Sequence, residues 1–130
     1  MLSDKESPLI RQLLVLRKRK EERVQSQLNE LSRQQVQCRQ EKQRAYESWL
    51  ESRTRLEETT LPSETLDRAC LNRLLAAKHQ LYVDERAKAA LVDEWQSRIE
   101  NLAQAQHELR EEQASLIRGQ EKLKEVLNDN

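Results

Sequence analysis

The sequence predicts an all-α protein, an antiparallel two-helix coiled-coil hairpin drawn out into an elongated rod. Three observations predict it. The 130 residues hold one Gly, two Pro and no Phe, with 35% charged and 3% aromatic side chains, too little apolar bulk to fill a rounded core. Yet 36% are hydrophobic, and Leu and Ala beside Glu, Gln, Lys and Arg favour helix over disorder. Leucine recurs at intervals of seven, and Pro62 interrupts the pattern near the middle of the chain.

Helix one is expected over about residues 8–58. Ser7-Pro8 reads as its start, a serine to accept from orphan N–H groups and a proline with the helical φ already set. From there Ile10, Leu14, Val24, Leu28, Leu31, Cys38, Ala45, Trp49 and Leu56 fall three and four apart, with Arg17, Glu21, Gln35, Lys42 and Ser52 in the intervening seam places. The bend, about residues 59–64, follows from Thr59 and Thr60, which are β-branched, and from Pro62. Ser63 or Thr65 is the expected cap of helix two, with Glu64 or Asp67 in its first turn.

Helix two is expected over about residues 65–127, the whole chain forming a single hairpin domain. Leu74, Leu81, Lys88, Trp95, Leu102, Leu109, Leu116 and Leu123 make its leucine line. The companion line expected beside it is Cys70, Ala77, Asp84, Leu91, Arg98, Ala105, Glu112, Gly119 and Val126. A bend near residue 61 pairs positions whose numbers sum to about 122, which sets Trp49 against the Arg73 and Leu74 region and Trp95 against Leu28, and carries the last turns of helix two past the start of helix one. A rod of parallel chains is the alternative to this intramolecular pairing.

Composition and charge exclude several classes of function. With 23 basic and 23 acidic residues the formal charge is zero, so no global field draws in nucleic acid or membrane. The asymmetry is internal: residues 1–60 carry 13 basic and 10 acidic side chains, residues 61–130 the reverse. One Gly rules out a glycine-rich phosphate loop. No metal site is expected from His79, His107, Cys38 and Cys70, which lack ligand spacing. Both cysteines read as reduced seam residues. No catalytic residue, cofactor or enzymatic activity is expected, because two helices offer no concave pocket in which to shift a carboxylate pKa. The absence of an apolar span or signal segment at the N-terminus points to the cytoplasm.

Two clusters exceed what a narrow seam buries. Leu13, Val15 and Leu16 lie beside the basic run Arg17-Lys18-Arg19-Lys20, which Glu21 and Glu22 make unsuitable for DNA. Near the bend, Tyr46, Trp49 and Leu50 on helix one and Leu71, Leu74 and Leu75 on helix two cannot all turn inward, so an apolar docking patch is expected there.

The apolar N-terminal turn Leu9-Ile10-Arg11-Gln12-Leu13-Leu14-Val15-Leu16, the Arg-rich stretch ending Glu21-Glu22-Arg23 and the glutamine-rich heptad hairpin resemble the FliJ/YscO stalk proteins of bacterial type III secretion. The likeness is to the shorter members of pathogenicity-island or Hrp-type clusters and covers nearly the whole chain. It implies a virulence-associated protein-transport component at the cytoplasmic face of the inner-membrane export apparatus. Such a stalk inserts its terminal pole into the hexameric secretion ATPase and meets the cytoplasmic domain of the export gate near the bend. Some members also bind export chaperones. Carried onto this sequence, the ATPase contact falls on Ile10, Leu13, Leu16, Arg17, Arg19, Leu123 and Leu127. The gate contact falls on Tyr46, Trp49, Leu71, Leu75, Lys78 and His79. The second aromatic stands three residues after Tyr46 where the flagellar member has four, and Leu71 replaces a Phe. The other function these residues support is a homodimeric coiled-coil scaffold or chaperone, two hairpins joining as a four-helix bundle.

Overall fold

A computed structural model describes residues 4, 6–60 and 67–129. Two long α-helices, α1 (Glu6–Glu58) and α2 (Arg68–Asn128), pack against each other, with no strand among the described residues. None of these helices is long and apolar enough to cross a membrane. The helices form two units, a terminal one from the described parts of 1–35 and 101–130, and a bend-side one, Val36–Glu100.

α1 begins at Glu6, two residues before the expected start, so Ser7 is helical and not a cap. Pro8 sits in the first turn, where N–H groups lack intrahelical acceptors and a missing donor costs nothing. At the other end Thr59 donates its N–H (3.1 Å) and its hydroxyl (2.7 Å) to the Arg55 carbonyl, closing the last turn. Pro62, Ser63, Glu64 and Thr65 lie outside the described residues. Asp67 is the cap of α2: its Oδ1 accepts the Cys70 N–H at 2.7 Å, the third amide of the helix, and that bond holds its carboxyl below the usual carboxylate range.

The α1 seam is the expected heptad. Val24, Leu28, Ala45 and Ser52 are buried, and Ile10, Leu14, Leu31, Cys38, Trp49 and Leu56 are half-buried. On α2 the leucine line is half-buried from Leu81 to Leu123, but the companion line lies one residue further on than expected. It is Lys78, Glu85, Val92, Ile99, Gln106, Gln113, Gln120 and Leu127, with Glu85, Gln106 and Gln120 buried, while Ala77, Asp84, Leu91, Arg98 and Val126 face water. Ala105, Glu112 and Gly119 are half-buried on its flank. The reason is chemical. Glu85, Gln106, Gln113 and Gln120 each find a partner on the other helix, which removes the penalty that hydropathy assigns them.

Those partners set the register. In the terminal unit Gln106 Nε2 donates to Ser32 Oγ (3.2 Å), Gln113 Nε2 to Gln25 Oε1 (2.6 Å) and Gln120 Nε2 to Glu21 Oε2 (2.8 Å), while Lys20 pairs with Glu112 (3.5 Å). In the bend-side unit Lys42 Nζ donates to Gln96 Oε1 (2.6 Å) and Trp49 Nε1 to Glu85 Oε1 (2.9 Å). Rising numbers on α1 meet falling numbers on α2, so within each unit the helices are antiparallel. The register differs from the expected one. Trp49 faces Glu85, about three turns beyond Leu74. Leu28 lies between Gln25 and Ser32, whose partners bracket Leu109 and not Trp95. Two overhangs follow. Asn128 ends about level with α1's second turn, so α1's first residues, not the end of α2, run past their partner. Beyond the level of Glu58 the first turns of α2 have no α1 helix beside them, and residues 67–77 are exposed apart from half-buried Cys70.

Candidate protein-binding faces

In the terminal unit, the outer side of α1 follows from the seam. With Ile10, Leu14 and Arg17 turned toward α2, a period of 3.6 points Leu9, Gln12, Leu16, Arg19 and Arg23 away from it. Leu9 is 58% exposed, Leu16 57% and Val15 51%. A shallow furrow runs along this side, lined first by Arg11, Gln12, Val15, Leu16 and Arg19 and then by Leu16, Arg19, Glu22, Arg23 and Ser26.

The residues expected to contact the ATPase therefore divide. Leu13, Leu16 and Arg19 face water. Ile10, Leu123 and Leu127 are half-buried seam residues. Arg17 is a seam residue too: a Cβ added at Gly119 would overlap its guanidinium, so the one glycine of the chain makes room for that side chain. Of the basic run, Arg17 and Lys20 are engaged with α2, while Lys18 and Arg19 are exposed without an ion pair among the described residues.

The bend-side unit holds an aromatic and ionic cluster. Glu85 is buried on the seam; its Oε1 accepts the Trp49 indole N–H, and Arg86 grips both carboxylate oxygens at 2.6 Å. The Arg86 guanidinium first, then the Trp49 hydrogen bond, against a smaller opposing effect of burial, hold the Glu85 carboxyl down to about 2. The same pairing raises the Arg86 pKa, and Tyr82 and Asp93 lie within its field. Arg53 sits over the Trp49 ring at 5.5 Å, and the Tyr46 and Trp49 rings meet tilted at 5.6 Å. Tyr46 also lines a groove with Arg39, Lys42, Gln43, Gln96 and Ile99.

Of the expected gate residues, Tyr46, Leu71, Leu75 and His79 are exposed, Lys78 is half-buried, and Trp49 is held at the seam by Glu85. Leu71 and Leu75 do not adjoin Tyr46. The pairing of Lys42 with Gln96 and of Trp49 with Glu85 sets Tyr46 level with about residues 88–92 of α2, which at 1.5 Å per residue is roughly 20–25 Å along the helix from Leu75. Sequence reasoning passed over Tyr82 (52% exposed), which shares an α2 face with Leu71 and Leu75 at spacings of four and seven, and Glu85, whose only sequence signal is a carboxylate four residues after a seam leucine. Leu50, weighed with Tyr46, is exposed at 38%.

Cys38 and Cys70 are free and half-buried; Cys70 lies in the first turn of α2 with Arg73 Nη2 at 3.7 Å from its sulfur. His107 pairs with Glu111, four residues on, at 3.0 Å. Compared with family models, curated proteins and solved structures, the chain has no match.

Proposed function

We propose that this protein is a central stalk of a type III secretion export apparatus, a FliJ/YscO-like hairpin that couples the hexameric secretion ATPase to the cytoplasmic domain of the export gate. It works at the cytoplasmic face of the inner membrane, and handling of export chaperones belongs to the same reading. The observation that carries it is the outward exposure of Leu13 and Leu16 together with Arg19, which has no ion pair among the described residues, in the terminal unit. Apolar side chains left in water next to uncompensated cations suit a partner with an apolar cleft rimmed by acids. Ile10, Arg17, Leu123 and Leu127 enter this contact as the seam that holds the face in place. In the bend-side unit Tyr46 is one contact with the gate and Leu71, Leu75, His79 and Tyr82 are another, with Trp49 and Lys78 positioning them.

The test is stimulation of ATP hydrolysis by the full chain. Leu13→Asp with Arg19→Glu should abolish it while helicity persists, because both side chains face water; undiminished stimulation would refute the placement. Tyr46→Ala with Leu71→Ala should weaken gate binding about thirtyfold or more, as loss of a hot spot does, with ATPase stimulation intact. A folded variant that still binds the gate would move the contact elsewhere.

A further inference from the structure

We infer that the outer side of α1 over residues 9–23 is an interfacial surface that docks on an anionic lipid bilayer, an interaction beyond the stalk reading and not resting on it. Leu9, Val15 and Leu16, each more than half exposed, supply the apolar contact. Residues 9–23 hold six basic and two acidic side chains. Arg17 turns against Gly119 and Lys20 pairs with Glu112, which leaves Arg11, Lys18, Arg19 and Arg23 without an ion pair among the described residues. The positive excess is local: residues 9–23 carry a net charge of +4 and residues 24–130 a net charge of −3, in a chain that is neutral overall.

The shape selects the occupant. The furrow through Val15, Leu16 and Arg19 is lined by α1 alone and lies on the side away from the α2 seam. No second wall exists to grip a partner helix, whereas a planar surface needs none. Nucleic acid would gain nothing from three exposed aliphatic side chains. A bilayer takes them into its headgroup boundary while the arginine stems lie along the apolar surface and their guanidinium groups reach lipid phosphates. Leu16 and Arg19 also belong to the proposed ATPase contact, so lipid and ATPase compete for the face.

The full chain should sediment with phosphatidylcholine vesicles containing about one-third phosphatidylglycerol at about 0.1 M salt, at least about tenfold more than with phosphatidylcholine alone. It should be released at about 0.5 M salt, where screening shortens the reach of the cations. Variants come from outside the ATPase set. Arg11→Glu with Arg23→Glu should lower retention about tenfold or more, and Leu9→Ser with Val15→Ser should do so at unchanged charge. No retention on anionic vesicles, equal retention on neutral ones, or undiminished binding of either variant overturns the inference. Capture by polyglutamate without vesicle binding would assign the face to an acidic protein and overturn it equally. Circular dichroism checks each fold; if a variant loses helix, the lipid and salt dependence of the unaltered chain decides. No ATPase is present, so the result is separable from that of the stalk reading.

Discussion

Replacing Gln106 with Leu should stabilise the protein. Gln106 is 5% exposed on the α2 seam, and its amide makes one hydrogen bond, 3.2 Å long, to the Ser32 hydroxyl. Leu has nearly the same bulk, and burying it there gains about 2 kcal/mol of apolar transfer. The lost neutral hydrogen bond costs about 1 kcal/mol. Ser32 is itself exposed, so its hydroxyl turns to water and adds no desolvation penalty. The net gain is about 1 kcal/mol, a rise of roughly 3–4 °C in Tm for a chain of this size. Thermal and urea unfolding followed by helical circular dichroism measure it. A loss of stability of 1 kcal/mol or more would refute the reasoning, because the amide would then be contributing more than a single neutral hydrogen bond.

The remaining expectations test the seam and its charges. Val92→Asp places a carboxylate on the half-buried companion line and should cost about 3 kcal/mol, whereas Leu91→Asp, 43% exposed in the original, should cost under about 0.5 kcal/mol; the opposite order in urea midpoints would restore the line through Leu91. The Glu85 carboxyl is depressed from 4.5 to about 2, so its contribution is complete above pH 4.5 and disappears as pH falls toward 2. Over that window the unaltered chain should lose urea resistance faster than Glu85→Gln, and parallel losses would show the shift to be absent. Gly119→Ala should raise stability by about 0.5–1 kcal/mol through helix propensity, because the clashing Arg17 guanidinium is the free end of a flexible side chain; a lower Tm would mean that Arg17 is fixed in the seam.

How far the fold could be read from the amino acids depends on which residues occupy each seam. On α1 every third and fourth position from Ile10 to Leu56 lies on one stripe whichever neighbour it meets, so periodicity alone located Val24, Leu28, Ala45 and Ser52 in the buried line. The leucine line of α2 was legible for the same reason. Its companion was not, because two candidate lines one residue apart differ in a way hydropathy misjudges. Ala77, Leu91, Ala105 and Val126 suit a dry seam better than Glu85, Gln106, Gln113 and Gln120 do, yet the second set carries the seam. A buried amide or carboxylate is costly only while it lacks a partner, and its partner lies on the other helix. The exposed leucines of the candidate faces could be foreseen as a surplus over the seam, and periodicity placed Arg17 and Trp49 on it, but what they meet there, Gly119 and Glu85, follows only from the register. Sequence by itself therefore determined two helices and one buried stripe on each. Tertiary structure alone decided the second α2 line and the register, because both are set by hydrogen bonds between side chains 36 to 99 residues apart, which no local pattern records.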